Sequence, residues 1–410
     1  MKTLMILCTV PDERLEMVLK EAKDLQYKTV ACVDKTHESA YKEADAFYIT
    51  NGFNANELVS IGKKEKIDGV VGLCDAAAIP AAAIAEALGL PGNTPASVRM
   101  LLSKSDFRKL QQQAEVFCPQ SKIVSGVDDI MQFGNSFNFP IIIKPMLASS
   151  SHGMTVIDSN GNKPSIEKAF LEAKKVSRNG KVCAEEYIVN EKLRIIEADI
   201  FVVGDDILWD GIRYCYRLHE APLRPVYDVY PVSLSQAEMK EFKRSVTAVI
   251  RRSGAQLGEF NVEGFFTPEG RFFILEINPR QAGHYNPQDI KMYCGVDLTR
   301  LLITTAVGDL SYYLELKSFI RECNCVLSYS VFSSCDGVFE RIHIDDSLRA
   351  HLKAFRYLHG QKPGDKVQNI RDAVRPIAKA VFTFDTTNEL ENAREKITEL
   401  VYPVVAKNIR

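Results

Sequence analysis

The stretch ILEINPRQAGHY, residues 274–285, sets Glu276, Asn278 and Arg280 two positions apart among Ile274, Leu275 and Ile277. Alternate residues of a strand share a face. The spacing therefore predicts a carboxylate, an amide oxygen and a guanidinium on one side of an otherwise apolar strand. The run FFILEI is too apolar for a solvent-exposed sheet, and burying such groups is unfavourable unless a metal ion or partner compensates.

Working outward, LGEFNVEGFF (257–266), the turn TPEG (267–270) and RFFILEINPR (271–280) form a hairpin signature. Glu263 and Glu276 lie at distances from the turn that allow cross-strand adjacency. Two carboxylates and the Asn278 oxygen are hard donors that suit Mg²⁺, with Mn²⁺ an alternative. Such an ion completes its shell with water and substrate phosphates. Arg280 would then point at phosphoryl or acyl oxygens. The competing reading is an acidic strand pair facing solvent.

Upstream, FNFPIIIKPMLASSSHGMTVI (137–157) reads as a strand delivering Lys144, a small-residue loop from Ala148 to Ser151, then His152, Gly153 and a second strand. A lysine before such a loop suits a triphosphate, since the ammonium neutralises charge and loop amides can reach phosphate oxygens. It is not a GxxxxGK[ST] loop, and a polar hairpin with a surface lysine is the competing reading. KVCAEEYI (181–188) is another strand, with Glu185 and Glu186 on opposite faces.

The 410 residues call for more than one domain, because single cores stop growing near ~250–300 residues. Hydrophobic content of 46%, charged content of 25% and a net charge of −2 are ordinary globular values, with no global basic excess to argue for nucleic acid. No apolar run reaches the ~18 residues of a membrane helix, and MKTLMILCTV turns polar too soon for a signal peptide. Ten scattered cysteines without a CxxC pair predict reduced thiols and a cytoplasmic setting.

Residues 1–97 alternate as strand and helix: TLMILCTV, a helix capped by Asp12, YKTVACVD, ADAFYIT, a helix in NANELVSIGKKEK, IDGVVGLCD, and a helix ending near Gly89. This predicts a small doubly wound α/β domain. Its first turn has no GxGxxG, so Asp34 alone is a weak nucleotide signal and a scaffold role is favoured. Residues 97–116 are read as one helical stretch containing Lys104.

IIIKP…SSSHGM, AEEYI and NVEGFF…ILEINPR, in this order, resemble the ATP-grasp superfamily along nearly the whole chain, and within it the carboxylate–amine ligases of the L-amino acid ligase type. The resemblance implies an α/β and α+β multidomain fold. Its parts would be a Rossmann-like domain at 1–97, an ATP-grasp body of two α+β subdomains at 98–309 with a lid at about 120–185, and a C-terminal α+β appendage at 310–410. It implies that Lys104 and Lys144 contact ATP phosphates, and that the loop carrying Ser151, His152 and Gly153 closes over them. Glu185 would touch adenine, the backbone of Glu186 and Ile188 would pair with its edge, and Glu191 would hold the ribose. Glu263, Glu276 and Asn278 would hold magnesium, and Arg280 the transferred phosphoryl. The implied reaction joins a small-molecule carboxylate to an amine through an acyl phosphate, with neither nucleic acid nor membrane as partner and a homodimer plausible from the family. Activation of bicarbonate, as in carboxylases and carbamoyl-phosphate synthetases, is the rival activity, and a non-catalytic ATP-binding module is the rival of another class.

The segment 210–231 mixes Arg213, Arg217, His219 and Arg224 with tyrosines and prolines. It is read either as substrate-facing or as an irregular surface loop. His284 is an acid–base candidate whose structural reading is favoured. Residues 311–344 read as strand-like, 359–369 as a turn-rich connector, and NELENAREKITELVYPVV as an amphipathic helix.

Overall fold

The computed structural model describes all residues except 10–11, 34–42, 51, 138, 147–152, 159–161, 191–192, 223, 372, 374 and 407–410. The first strands, β1 (Thr3–Cys8), β2 (Lys28–Val33), β3 (Ala46–Ile49) and β4 (Gly69–Gly72), form a parallel sheet in the order β3-β2-β1-β4. β1 is buried throughout, as an apolar run covered on both faces must be. Asp12 caps the helix Glu13–Asp24 by accepting from the Arg14 amide, and Gly89 in left-handed conformation closes the helix Asp75–Leu88. Asp34 lies outside the described residues.

The stretch read as a single helix at 97–116 is two, Pro95–Leu102 and Lys104–Gln113, because Ser103 adopts extended backbone between them. An antiparallel sheet follows, β5 (Ser121–Val124), β6 (Ile141–Pro145), β7 (Thr155–Ile157) and β8 (Val182–Glu186), in the order β5-β8-β6-β7. The helices Val127–Phe137 and Lys163–Val176 cover one of its faces.

The largest element is an eight-stranded antiparallel sheet. Its strands are β9 (Arg194–Val203), β10 (Asp206–Tyr216), β11 (Tyr227–Tyr230), β12 (Leu257–Phe266), β13 (Phe272–Asn278), β14 (Cys325–Val331), β16 (Leu352–Tyr357) and β18 (Ala378–Phe384), ordered β13-β12-β9-β10-β11-β14-β18-β16. Strands from beyond residue 325 thus join the hairpin's own sheet. One face packs on the helices Gln236–Ser253 and Thr387–Leu400. The remaining strands, β15 (Gly337–Ile344), β17 (Lys366–Val367) and β19 (Val401–Ala406), make a small sheet in the order β17-β15-β19.

The strand-like reading of 311–344 fails at its start. Ser311–Ser318 is a helix, and the i, i+3 pair Tyr313 and Leu316 is the side it buries. The terminal amphipathic stretch is a helix only as far as Leu400, where VYPVVA continues as β19.

Candidate active site

Sheet register assembles the site. Glu263 faces Glu276 across β12 and β13, and Asn261 faces Asn278. The pairing shifts beside Glu263, where Gly264 is opposite Ile274, so Leu275 is an extra residue in a β-bulge. The bulge corrects the strict alternation expected of this strand. Ile274 and Ile277 both enter the main core, while Leu275 packs on the other face with Phe265 and Phe273. Asn278 Nδ2 donates to Glu276 Oε1 at 2.8 Å, which holds the two side chains together. Arg280 lies beyond the strand's end. Its Nε donates to Asp75 Oδ1 at 2.9 Å, at the start of the helix Asp75–Leu88, and Nη1 reaches Asn261 Oδ1 at 3.5 Å.

The acidic row continues inward. Glu263 is opposite Glu197 on β9, and Glu197 is opposite Arg213 on β10. Burial first, then the charges of Glu276 and Glu197, hold the Glu263 carboxyl well above the usual carboxylate range. Two facing carboxylates, one forced towards its neutral form, with an amide beside them, fit a divalent cation.

The second half of the site comes from the sheet of β5 to β8. Glu185 is 4% exposed; it accepts from Lys144 Nζ at 2.6 Å and from Arg108 Nε and Nη2 at 2.9 and 3.1 Å. Burial pushes this carboxyl up, but Arg108 and Lys144 outweigh it and draw it down to about 2. Glu185, expected at the adenine, is therefore engaged by two cations. Arg108 Nη1 also donates to Gln111 Oε1 at 2.6 Å and to the Ile274 carbonyl at 3.1 Å, tying that sheet to the hairpin. Burial and the charge of Lys144 lower Lys104, while Glu276 and Glu185 oppose that shift. Lys104, Lys144, Glu185 and Glu276 thus share one electrostatic environment.

The Glu186 amide donates to the Gln120 carbonyl at 2.9 Å. Ile188 packs with Leu275 and Phe117 against an apolar floor of Ile195, Cys215, Phe265 and Phe273. Gly153 has φ +70°, and a Cβ there would meet Val176 at 3.3 Å. Ser151, His152 and Glu191 lie outside the described residues.

The 210–231 segment is no surface loop at its start. Residues through Tyr216 belong to an interior strand, and Arg213 is 0% exposed. Arg213 Nη2 meets Glu197 Oε2 at 2.5 Å, and Nη1 meets Asp199 Oδ2 at 2.7 Å. Asn261 Nδ2 donates to Asp199 Oδ1 at 2.7 Å. Arg217 Nη1 reaches the Pro222 carbonyl at 3.4 Å.

Two distant parts of the chain, the helix Glu13–Asp24 and β18, hold the segment after Arg280. The His284 amide donates to Glu13 Oε1 at 2.6 Å, and Tyr285 Oη donates to Glu16 Oε2 at 2.9 Å. Lys379 of β18 pairs with Asp289 at 2.6 Å, donates to Asn286 Oδ1 at 3.0 Å and also meets the His284 carbonyl. Burial drives the His284 imidazole down to about 4 although Glu13 opposes it. The ring is neutral near pH 7.

All ten cysteines are free thiols. Among the described residues no helix is long and apolar enough to cross a membrane.

Comparison with known proteins agrees with this architecture. The L-amino acid ligase of Bacillus licheniformis superposes with a TM-score of 0.83 at 18% identity, covering 99% of each chain. The uncharacterized protein y4rH of Sinorhizobium fredii is 23% identical over 70% of this chain and 57% of its own length. A carbamoyl phosphate synthase large chain of Clostridium botulinum is 23% identical over 72% of this chain. The chain spans only 27% of that synthase. Residues 15–92 match the ATP-grasp N-terminal domain model. Residues 103–310, just over half the chain, match the model described as carbamoyl-phosphate synthase L chain, ATP binding domain, and the chain belongs to that family.

Proposed function

We propose that the protein is an ATP-dependent ligase that joins a small carboxylic acid to an amine through an acyl phosphate. The observation that carries this reading is the facing pair Glu263 and Glu276 with Asn278 beside it, opposite Lys104 and Lys144. ATP would lie between the lid sheet and the hairpin, its adenine on the floor beside Ile188 and Leu275. The 148–154 loop, part of which lies outside the described residues, would close over its phosphates. Lys144, positioned by Glu185, and Lys104 neutralise phosphate oxygens. Glu263, Glu276 and Asn278 would hold Mg²⁺, which when bound supplies further charge neutralisation to the terminal phosphates. Arg280, oriented by Asp75, binds the transferring phosphoryl.

The γ-phosphoryl moves to a carboxylate oxygen and ADP leaves. The amine nitrogen then bonds to the acyl carbon as the bond from that carbon to the phosphate oxygen breaks. The ammonium loses two protons overall, one leaving with phosphate and one going to solvent. A second reading of the acid is bicarbonate, the anion named with MgADP in the biotin carboxylase domain of the Hydrogenobacter thermophilus 2-oxoglutarate carboxylase. We also propose domains at 1–97, 98–309 with a lid at about 120–185, and 310–410, and a homodimer that sizing by light scattering would test.

The experiment is phosphate release from ATP and Mg²⁺, screened over pairs of amino acids and then with bicarbonate, with the product identified by mass spectrometry. Amide formation from an acid and an amine supports the ligase. Product only with bicarbonate replaces it with the second reading, and tight ATP binding without release under any condition reduces the protein to a binding module.

A further inference from the structure

The acidic row does not end at Glu197. Asp228 and Tyr230 alternate on β11 and share a face. Asp228 is opposite Cys215 on β10 and Ser328 on β14. Among the described residues, four atoms here have no hydrogen-bond partner: Arg213 Nε, Asp228 Oδ1, Tyr230 Oη and Ser328 Oγ. Arg213 and Tyr230 are 0% exposed and Ser328 is 2% exposed, so water outside the fold does not satisfy them. Arg213 Nε stands 3.6 Å from Asp228 Oδ1, beyond a hydrogen bond. Burial, together with the charges of Asp228, Asp289 and Asp199, opposes ionisation of Tyr230, which sets its hydroxyl among these acids. Buried polar groups in native proteins are normally paired, so such a cluster marks a place built for something else to occupy.

Charge identifies the occupant. Arg213 binds Glu197 and Asp199 closely, and Asp289 forms its own pair with Lys379. The charge of Arg217 is felt by Glu197 and Glu263. Glu197, Asp199 and Asp228 therefore face two guanidiniums, which leaves one negative charge uncompensated, at Asp228. A divalent metal does not match this balance. Oxygen atoms of Glu197 and Asp228 and the Cys215 sulfur do lie within 4.8 Å of one another, but the Arg213 guanidinium already stands against both carboxylates. A single monovalent cation restores neutrality.

The position suits the second substrate. The Asp228 oxygen is within 4.8 Å of that of Glu197, and Glu197 is the cross-strand neighbour of Glu263. The cluster has a partly exposed edge, since the Asp228 side chain keeps 16% of its exposure and that of Glu197 keeps 11%. We propose that Asp228, flanked by Tyr230 and Ser328, seats the ammonium group of the attacking amine substrate, a primary amine that enters protonated. This rests on the ligase reading above. Burial pushes the empty Asp228 up to about 6 although Arg213 opposes it, the mark of a carboxylate whose counter-charge is missing.

The test uses the full chain and its Asp228→Asn and Tyr230→Phe variants. The acid and amine are taken from the twenty protein amino acids by phosphate release, and hydroxylamine then replaces the amine. Hydroxylamine is uncharged at neutral pH and traps the acyl phosphate as a hydroxamate, so it has no need of an ammonium seat. In Asp228→Asn the KM for the amine should rise about 10–100-fold, the worth of one charge-assisted hydrogen bond. Tyr230→Phe should raise it several-fold, with the KM for ATP unchanged in both. Hydroxamate formation should persist in both variants, which also shows that they fold. An unchanged amine KM in Asp228→Asn overturns the assignment while leaving the ligase standing, as does parallel loss of the amine and hydroxylamine reactions in both variants. A parent enzyme that yields neither phosphate nor hydroxamate sinks the ligase reading and this seat with it.

Discussion

Arg108 offers the sharpest test of how the site is held. It is 6% exposed and gives two hydrogen bonds to Glu185, one to Gln111 and one to the Ile274 carbonyl. Glu185 is drawn from 4.5 to about 2. At ~1.4 kcal/mol per pH unit, this places about 3 kcal/mol in the pairs with Arg108 and Lys144. Because the folded value is depressed, that stabilisation is complete above about pH 4.5 and is lost as pH falls towards 2, so a measurement at neutral pH sees all of it. Arg108→Met leaves Lys144 to hold part of it, about 1 kcal/mol, but orphans Gln111 Oε1 at about 1 kcal/mol, while the Ile274 carbonyl keeps its bond from Gln111 Nε2. The expected net loss is about 3 kcal/mol, at the lower end of values for removing one partner of a buried pair. Urea unfolding followed by Trp209, the single tryptophan, would read it, since that ring packs edge-on to Phe242 at 5.6 Å. Adding Glu185→Gln to Arg108→Met should recover part of the loss. A single variant within about 1 kcal/mol of the parent would refute the reasoning.

Magnesium at ten times its dissociation constant should stabilise the parent by about 1.4 kcal/mol in thermal unfolding, reversed by EDTA. Glu263→Gln should abolish that increment without destabilising the metal-free protein, since an amide replaces a carboxyl that burial already holds towards its neutral form. Arg280→Lys should lower kcat by about 10²–10³, read as phosphate release under saturating substrates, because a point charge replaces a fork held by Asp75. His284, drawn down to about 4, should stay neutral between pH 5 and 8 in an NMR titration. Its lowered value makes folding weaker as pH falls from about 6.5 towards 4, and His284→Gln should flatten that part of the stability curve.

The hairpin was legible because its signals are local. The turn TPEG and the alternation on both arms mark the hairpin without knowledge of the rest of the chain, but an unshifted register from Phe266 and Phe272 would set Glu263 opposite Leu275, one residue short of Glu276. The bulge at Leu275 was not legible, since an extra residue leaves composition unchanged and alters only which side chains face which way. Glu197 and Asp199 were overlooked although RIIEADIFVV carries the same sign as the opening stretch, acids at i and i+2 within an apolar strand. Arg108 had a weaker signal, a guanidinium and Gln111 among Phe107 and Leu110 on the buried side of one helix. The contact of Arg280 with Asp75 spans 205 positions and crosses from one sheet to another, so no local pattern encodes it.

The clamp on residues 284–289 has a consequence for anyone recombining this chain with its relatives. Glu13 sits near one end of the sequence and Lys379 near the other, yet both fasten the same short segment after Arg280. A chimera that trades away either end exchanges half of that fastening for side chains shaped to a different partner. Crossovers that keep both ends from one parent and replace only the lid are the ones that leave the segment gripped as it is here.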